Sequence, residues 1–380
     1  MKVALVIGKY HAFGGGAERW TDRHARYLIR QGFDVHLLAR EFKDPPAGAT
    51  CHTVPYRSGM GARLRFGDAI EKTIAEQKFD IVHEMGEGWT CDLFMPHHGT
   101  RVAGFEQNVR MLPPLIRPAQ EAAHRWLPRY REFAELERRQ YSLDRPTRFV
   151  AISKMVRDHM RTFFQVPDDR IDVIYNGVDI DRFRPGRNRA IRESLGWGDR
   201  TIFLLVAHNF RLKGLDPLTR AMAELSKRDK SIGLVVLGSG NQRPFERLAR
   251  KLRCEDLIKF VGNQSNPIPY YQASDVYVQP TFYDPCSLVA LEALACGLPV
   301  ITTSMNGAGE LITPAREGNI LEDPADVSGL TELMSQYLEP SVRIQAGSAA
   351  RRLAERYSLD RNSNAMIDLY RKQRALKQSA

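Results

Sequence analysis

Short apolar runs without polar alternation recur along the chain, each followed by a glycine-bearing or polar loop and then by a stretch of helical character. Residues 3–7, 35–39, 79–83, 149–153 and 171–175 supply such runs in the first half, and 201–207, 232–237, 259–261, 275–279 and 299–302 in the second. Uninterrupted runs fit strands covered on both faces, and strands alternating with helices pair in parallel. The helices expected between them are 18–30, closed by Gly32, the stretch around 68–77, others from about 217 and 243, and 288–295, closed by Gly297. The rhythm restarts after Asn176-Gly177-Val178-Asp179 and Phe183-Arg184-Pro185-Gly186, a turn-rich stretch that suits a domain boundary. The fold class is therefore α/β, with parallel-sheet domains at 1–182 and 183–357 and a basic helical tail at 358–380. Two such domains in tandem suggest a cleft, and open parallel sheets bind ligands beyond the carboxyl ends of their strands.

Composition narrows the class. A chain of 380 residues with 43% hydrophobic and 26% charged residues is long enough for two cores and is not disordered. Cys51, Cys91, Cys254, Cys286 and Cys296 are scattered and form no CxxC pair, which fits a reducing compartment and no zinc site. The first apolar run is too short for a signal-peptide core or a membrane span, so a soluble, cytoplasmic protein is expected. A net charge of +10 favours anionic partners. Nucleic acid is not among those expected, because no recognition motif appears and the basic residues are spread over both halves.

Three loops carry candidate chemistry. Gly14-Gly15-Gly16 stands between a strand and a helix, where backbone amides can approach a phosphate; a tight turn without ligand fits equally well. It is not GxGxxG, and Ala39-Arg40 stands where a ribose-binding acid would close the second strand. Arg211 and Lys213, on a loop at a strand's carboxyl end, suit a diphosphate leaving group; two solvated surface cations are the plainer reading. The third loop runs from Asp284 into an apolar helix interrupted by Glu292. One ligand gripped at three points would place its sugar at Asp284, its diphosphate at the amides near Ser287, Leu288 and Val289, and its ribose at Glu292. The rival is a capped helix with a glutamate salt-bridged in the core.

Carried by Gly15-Gly16-Ala17-Glu18-Arg19, Ala151-Ile152-Ser153, Asn176 to Asp179, Phe183-Arg184-Pro185, Arg211 with Lys213-Gly214, Gly238-Ser239-Gly240 and Asp284 through Val300, the whole chain resembles the family-4 retaining glycosyltransferases of the GT-B fold. Lys9-Tyr10 and Phe13-Gly14-Gly15 are similar to the bacterial lipopolysaccharide-core glucosyltransferases within that family. The resemblance implies two Rossmann-like domains facing each other across a cleft, with the C-terminal helix crossing back to the first. It implies transfer of a hexose with retention from a nucleotide sugar, UDP-glucose or a related UDP-hexose, to a glycan or glycolipid acceptor such as lipopolysaccharide core. Gly15, Gly16, Arg211, Lys213, Asp284, Ser287, Leu288, Val289 and Glu292 would bind the donor. Arg211, Lys213 and Asp284 would act in catalysis together with His98, which with His97 falls in the family's histidine region. His83 and Glu84, at the end of another strand, join His97 as acceptor-side candidates. No cofactor and no metal are expected, and Asp179-Ile180-Asp181 reads as structural.

Two positions depart from the family pattern. Asp284 stands where the family has glutamate, and His208 where it has an arginine five residues before the lysine, with Arg211 expected to take that role. A nucleotide-sugar epimerase of the same architecture and a non-catalytic nucleotide-sugar-binding module are the alternatives. From Arg101 to Arg148 the chain carries ten arginines against six acidic residues and no lysine, with aromatic residues among them. That segment suits either an anionic membrane surface, at the inner face of the plasma membrane, or a solvated helical face.

Overall fold

The computed structural model describes residues 1–12 and 14–379; Phe13 and the Arg125 side chain lie outside the described residues. The chain forms two compact units, one of residues 1–176 with 359–380 and the other of residues 177–358.

The first unit holds a seven-stranded parallel sheet. Its spatial order is Ala49–Thr53, Asp34–Ala39, Lys2–Val6, Ile81–Glu84, Leu93–Phe94, Arg148–Ala151 and Ile171–Val173. Strand order therefore reverses beside Lys2–Val6, which pairs Val3 with both Val35 and Ile81. The helix Gly16–Arg30 starts directly after the glycine loop and packs Trp20, Ala25 and Leu28 inward. Helix Ala62–Gln77 turns Phe66 and Ile70 onto Ala4, Val6 and Val82. The arginine-rich segment folds as Arg101–Arg110, Arg117–Trp126 and Pro128–Gln140.

The second unit repeats the plan with six parallel strands. The order is Ile258–Gly262, Ile232–Leu237, Thr201–Val206, Val276–Gln279, Val300–Thr303 and Gly318–Leu321, again reversing beside its first strand. Thr201–Val206 and Ile232–Leu237 are nearly all apolar because helices cover both faces of the sheet. Leu215–Leu225 buries Leu215, Leu218 and Met222 against Phe203, Leu205 and Val236.

The tail is two helices, Pro340–Arg356 and Leu359–Ser379, and the latter belongs to the first unit as expected. It is held there by buried polar contacts. The Trp20 indole donates to Asn362 at 3.0 Å, and the Tyr370 hydroxyl lies 2.9 Å from His24 Nε2 and 2.6 Å from His83 Nδ1. The amide of Asn362 donates to the Tyr175 carbonyl at 2.7 Å, fixing the helix to the far edge of the sheet.

Burial depresses the titration of this histidine cluster, to about 3 for His24 and His97 and well below the ordinary value for His83. Unfolded imidazoles take up protons near pH 6.5 while these do not, so each lowers stability as the pH falls from there towards 3. The buried carboxyls of Glu84 (about 7) and Glu137 (about 6) act in the opposite direction. The contribution of one histidine is thus read from a difference between variants. The unfolding free energy of His24→Gln should depend on pH between about 6 and 4 less steeply than that of the natural chain, by about 1.4 kcal/mol per pH unit. Parallel urea-denaturation curves across that range would contradict the assignment.

Candidate active site

The site in the second unit forms where its strand order reverses, between the loops that leave Thr201–Val206 and Val276–Gln279. The first loop is short because Gly214, at φ 79°, turns the chain into helix Leu215–Leu225. A Cβ on Gly214 would lie 1.9 Å from the Pro280 carbonyl oxygen, so glycine is what lets the two loops touch. Backbone bonds then join them: the Phe282 amide and the Thr281 hydroxyl both donate to the Leu212 carbonyl, at 2.8 and 3.1 Å.

This contact brings Lys213 to Asp284. Lys213 Nζ donates to Asp284 Oδ2 at 2.7 Å and to the Tyr283 carbonyl at 3.0 Å. Asp284 is fixed through its backbone, which bonds Met305 and Gly307, both at 2.9 Å. The two side chains are 19% and 14% exposed, so the pair is largely dry but open to a ligand. Arg211 is exposed on the same loop. His208 faces Ser239 instead, Nδ1 to Oγ 3.0 Å, and Gly240 gives the Phe210 ring room.

Helix Leu288–Ala295 begins just beyond. Ser287 caps it, accepting from the Ala290 amide at 3.3 Å, and the first-turn amides of Leu288 and Val289 lie beyond any intrahelical acceptor. The cap is fixed by residues that sequence reasoning missed. Ser287 Oγ donates to Gln279 Oε1 at 3.0 Å, and buried Asn306 accepts from the Ser287 amide at 3.2 Å while donating to Gln279 and Thr302. Their only sequence signals are a polar residue closing the 276–279 strand and an Asn-Gly turn after 300–303. Glu292, one turn into the helix, is 1% exposed and accepts from the Tyr271 hydroxyl at 3.2 Å. The structure thus gathers Arg211, Lys213, Asp284, Ser287, Leu288 and Val289 at one sheet edge, with Glu292 behind the helix start.

In the first unit Gly15 and Gly16 are exposed at the start of helix Gly16–Arg30, and Gly15 caps it without a side chain. The Glu18 carboxylate folds against this turn, 2.8 Å from where a Cβ of Gly15 would stand. His98 stands in the turn made by Gly99 and the Pro96 carbonyl with part of its ring open to solvent; the protein packed round the rest of the ring, and then Arg101, lower its proton affinity. It borders a small pocket with Met85, Gly86, Arg101, Glu137 and Tyr141.

The other acceptor-side candidates lie deeper than the sequence suggested. His83 is fully buried against Tyr370 and Trp20, in the core rather than on a pocket wall. His97 lies beneath the Trp20 ring, centroids 4.7 Å apart. Glu84 is fully buried and accepts from the amides of Gly86, at 2.8 Å, and Glu87, at 2.5 Å. Burial raises its pKa to about 7 despite these amides, and the carboxylate shapes the loop from behind. Asp179 accepts from the Arg182 amide at 3.0 Å, a local turn. Among the described residues no three His, Cys, Asp or Glu side chains are grouped to hold a metal ion.

Residues 14–182 match the family model Glycosyltransferase Family 4, and residues 187–355 match Glycosyl transferases group 1. The lipopolysaccharide glucosyltransferase WaaG of Escherichia coli is 27% identical over 94% of this chain and 96% of its own. A D-inositol 3-phosphate glycosyltransferase of Catenulispora acidiphila is 32% identical over 60% of this chain and 56% of its own. The chain spans about half the length of that relative and of the similarly named Rhodococcus proteins. Among solved structures, WaaG superposes with a TM-score of 0.83 at 23% identity, covering 97% of this chain and 99% of that one. Anabaena HepE in complex with UDP-glucose gives 0.73 at 16%, covering 98% and 100%.

Gly214→Ala should lower the unfolding free energy of the second unit by about 2 kcal/mol or more, since it adds both a strained φ and a clash. Gly198→Ala, where a Cβ meets nothing within 4 Å, should change little. Equal urea midpoints for the two variants would refute the loop contact.

Proposed function

We propose, for a chain that belongs to the two-domain glycosyltransferases of the GT-B fold, that it moves a hexose with retention from a UDP-activated donor, UDP-glucose or a close relative, to a glycan or glycolipid such as lipopolysaccharide core. The observation that carries this reading is the Lys213–Asp284 pair beside the capped start of helix Leu288–Ala295, at the carboxyl edge of the second sheet. As the bond between sugar and diphosphate breaks, negative charge grows on the diphosphate. Lys213, Arg211 and the amides of Leu288 and Val289 stabilise that charge. Asp284 holds the sugar hydroxyls, and its bond to Lys213 links sugar recognition to the cation on the leaving group. Glu292 would take the ribose. The diphosphate itself takes the acceptor proton on the front face, so the cycle runs without metal or cofactor.

With UDP-glucose and a lipopolysaccharide-core acceptor, Lys213→Ala should lower kcat/KM about 10²-fold or more, the scale of losing one preorganised cation. Glu292→Gln should weaken UDP about tenfold in a thermal-shift titration. Unchanged UDP affinity with a lowered Tm would return Glu292 to a structural role beside Tyr271. Incubation with donor alone should give at most slow hydrolysis; conversion of the sugar would mark an epimerase.

We place the protein at the cytoplasmic membrane face through the segment from Arg101 to Arg148. No helix among the described residues is long and apolar enough to cross a membrane. Leu115, at 94% exposure, and Trp126, at 67%, instead project from this arginine-rich surface together with Ile116 and Leu127. Apolar side chains amid cations suit the boundary of an anionic bilayer. Leu115→Asp with Trp126→Asp should abolish flotation with phosphatidylglycerol vesicles, and raised salt should weaken it in the natural chain; flotation unchanged by both would refute the docking.

A further inference from the structure

The first sheet has its own reversal point, beside Lys2–Val6 and Ile81–Glu84, and charged side chains converge there that the donor site does not use. Glu87, three residues beyond the second of these strands, presses its carboxylate on Gly8, two residues beyond the first. A Cβ on Gly8 would stand 2.6 Å from Glu87 Oε1. The Arg40 amide donates to the Gly8 carbonyl at 3.1 Å; burial raises the Glu87 pKa, while Arg101, Arg40 and Arg63 pull it down and neighbouring Glu18 pushes it up.

Each guanidinium lies over an aromatic ring. Arg63 and Arg101 both lie over the Phe133 ring, 4.2 and 4.8 Å from its centroid, and Arg40 lies over Tyr56 at 4.6 Å. Arg101 Nη2 also donates to the Gly86 carbonyl at 3.1 Å. Arg40 Nε is buried without a hydrogen-bond acceptor. Cation–π attraction holds a guanidinium at a ring without using its N–H donors. Arg40 also acts on Glu41 and Arg101 on Glu137, so the opening for a ligand rests on the Arg40 Nε donor: buried without an acceptor, it is costly unless a ligand supplies one.

Resting on the reading that the first unit receives the acceptor, we propose that the acceptor carries a phosphate group bound by Arg40, Arg63 and Arg101 at this crevice. A phosphate offers each guanidinium fork two oxygens, geometry that a neutral sugar hydroxyl does not match. Glu87 supplies counter-charge to the same three cations, so the phosphate competes with it. Removing the Glu87 charge therefore strengthens binding, whereas removing an arginine weakens it.

The test is a 31P NMR titration of the full chain with methyl phosphate, in saturating UDP so that the donor site is occupied. Arg63→Gln and Arg101→Gln should each weaken methyl phosphate about tenfold, the loss expected of one charge-assisted bond. Glu87→Gln, nearly isosteric, should tighten it several-fold, a gain that misfolding cannot imitate. Equal affinity in the natural chain and all three variants would overturn the proposal, as would weaker binding in Glu87→Gln. Displacement of methyl phosphate by phosphatidylglycerol vesicles would assign the phosphate to a lipid headgroup, and no displacement to a phosphorylated saccharide. Failure of UDP to bind would sink the donor reading alone, because the same titration without UDP still reports on the arginines.

Discussion

Parallel pairing is the constraint from which the rest follows. In each unit the first strand pairs on one side with its immediate successor and on the other with a strand reached by a later crossover. Connections to the two neighbours then leave in opposite directions, and a crevice opens at the carboxyl ends between them. Both charge clusters lie at such points: Lys213 with Asp284 in the second unit, and Glu87 with its arginines in the first. In each, a glycine without room for a Cβ, Gly214 or Gly8, lets the facing loops approach.

Burying charge is costly unless position and partners are fixed beforehand. In the second unit the backbone does the fixing. Asp284 is held by bonds to Met305 and Gly307, and Lys213 by the Tyr283 carbonyl. Gln279, Ser287, Asn306 and Thr302 form a closed polar network that sets the helix start relative to the strand ends. A network whose members are mutually satisfied holds one geometry, and a site that must meet developing charge benefits from not having to reorganise.

Much of this was legible from apolar runs, because strands buried on both faces announce themselves without alternation: 201–206 and 232–237 lie where the runs stand. Helix Leu288–Ala295 was equally plain, with Ser287 ahead and Gly297 behind. Ala49–Thr53 was not, since it is an edge strand of small and polar residues, and Leu93–Phe94 is too short to show a pattern. His83 shows where sequence reasoning fails at a site. A histidine closing a strand reads as chemistry, but its partner Tyr370 lies 287 residues away. Gln279 and Asn306 escaped for the same reason, because their role is each other. Glu87 looked like any loop acid until Arg40, Arg63 and Arg101 were brought to it from three separate segments.

The assignment of Leu359–Ser379 to the first unit makes the second an insertion within the first unit's chain. During synthesis the second unit is complete in the emerging polypeptide before the helix that covers His24 and His83 has been translated. The first unit therefore closes after the second has been translated, so its aromatic and histidine layer stays uncovered while residues 177–358 are made.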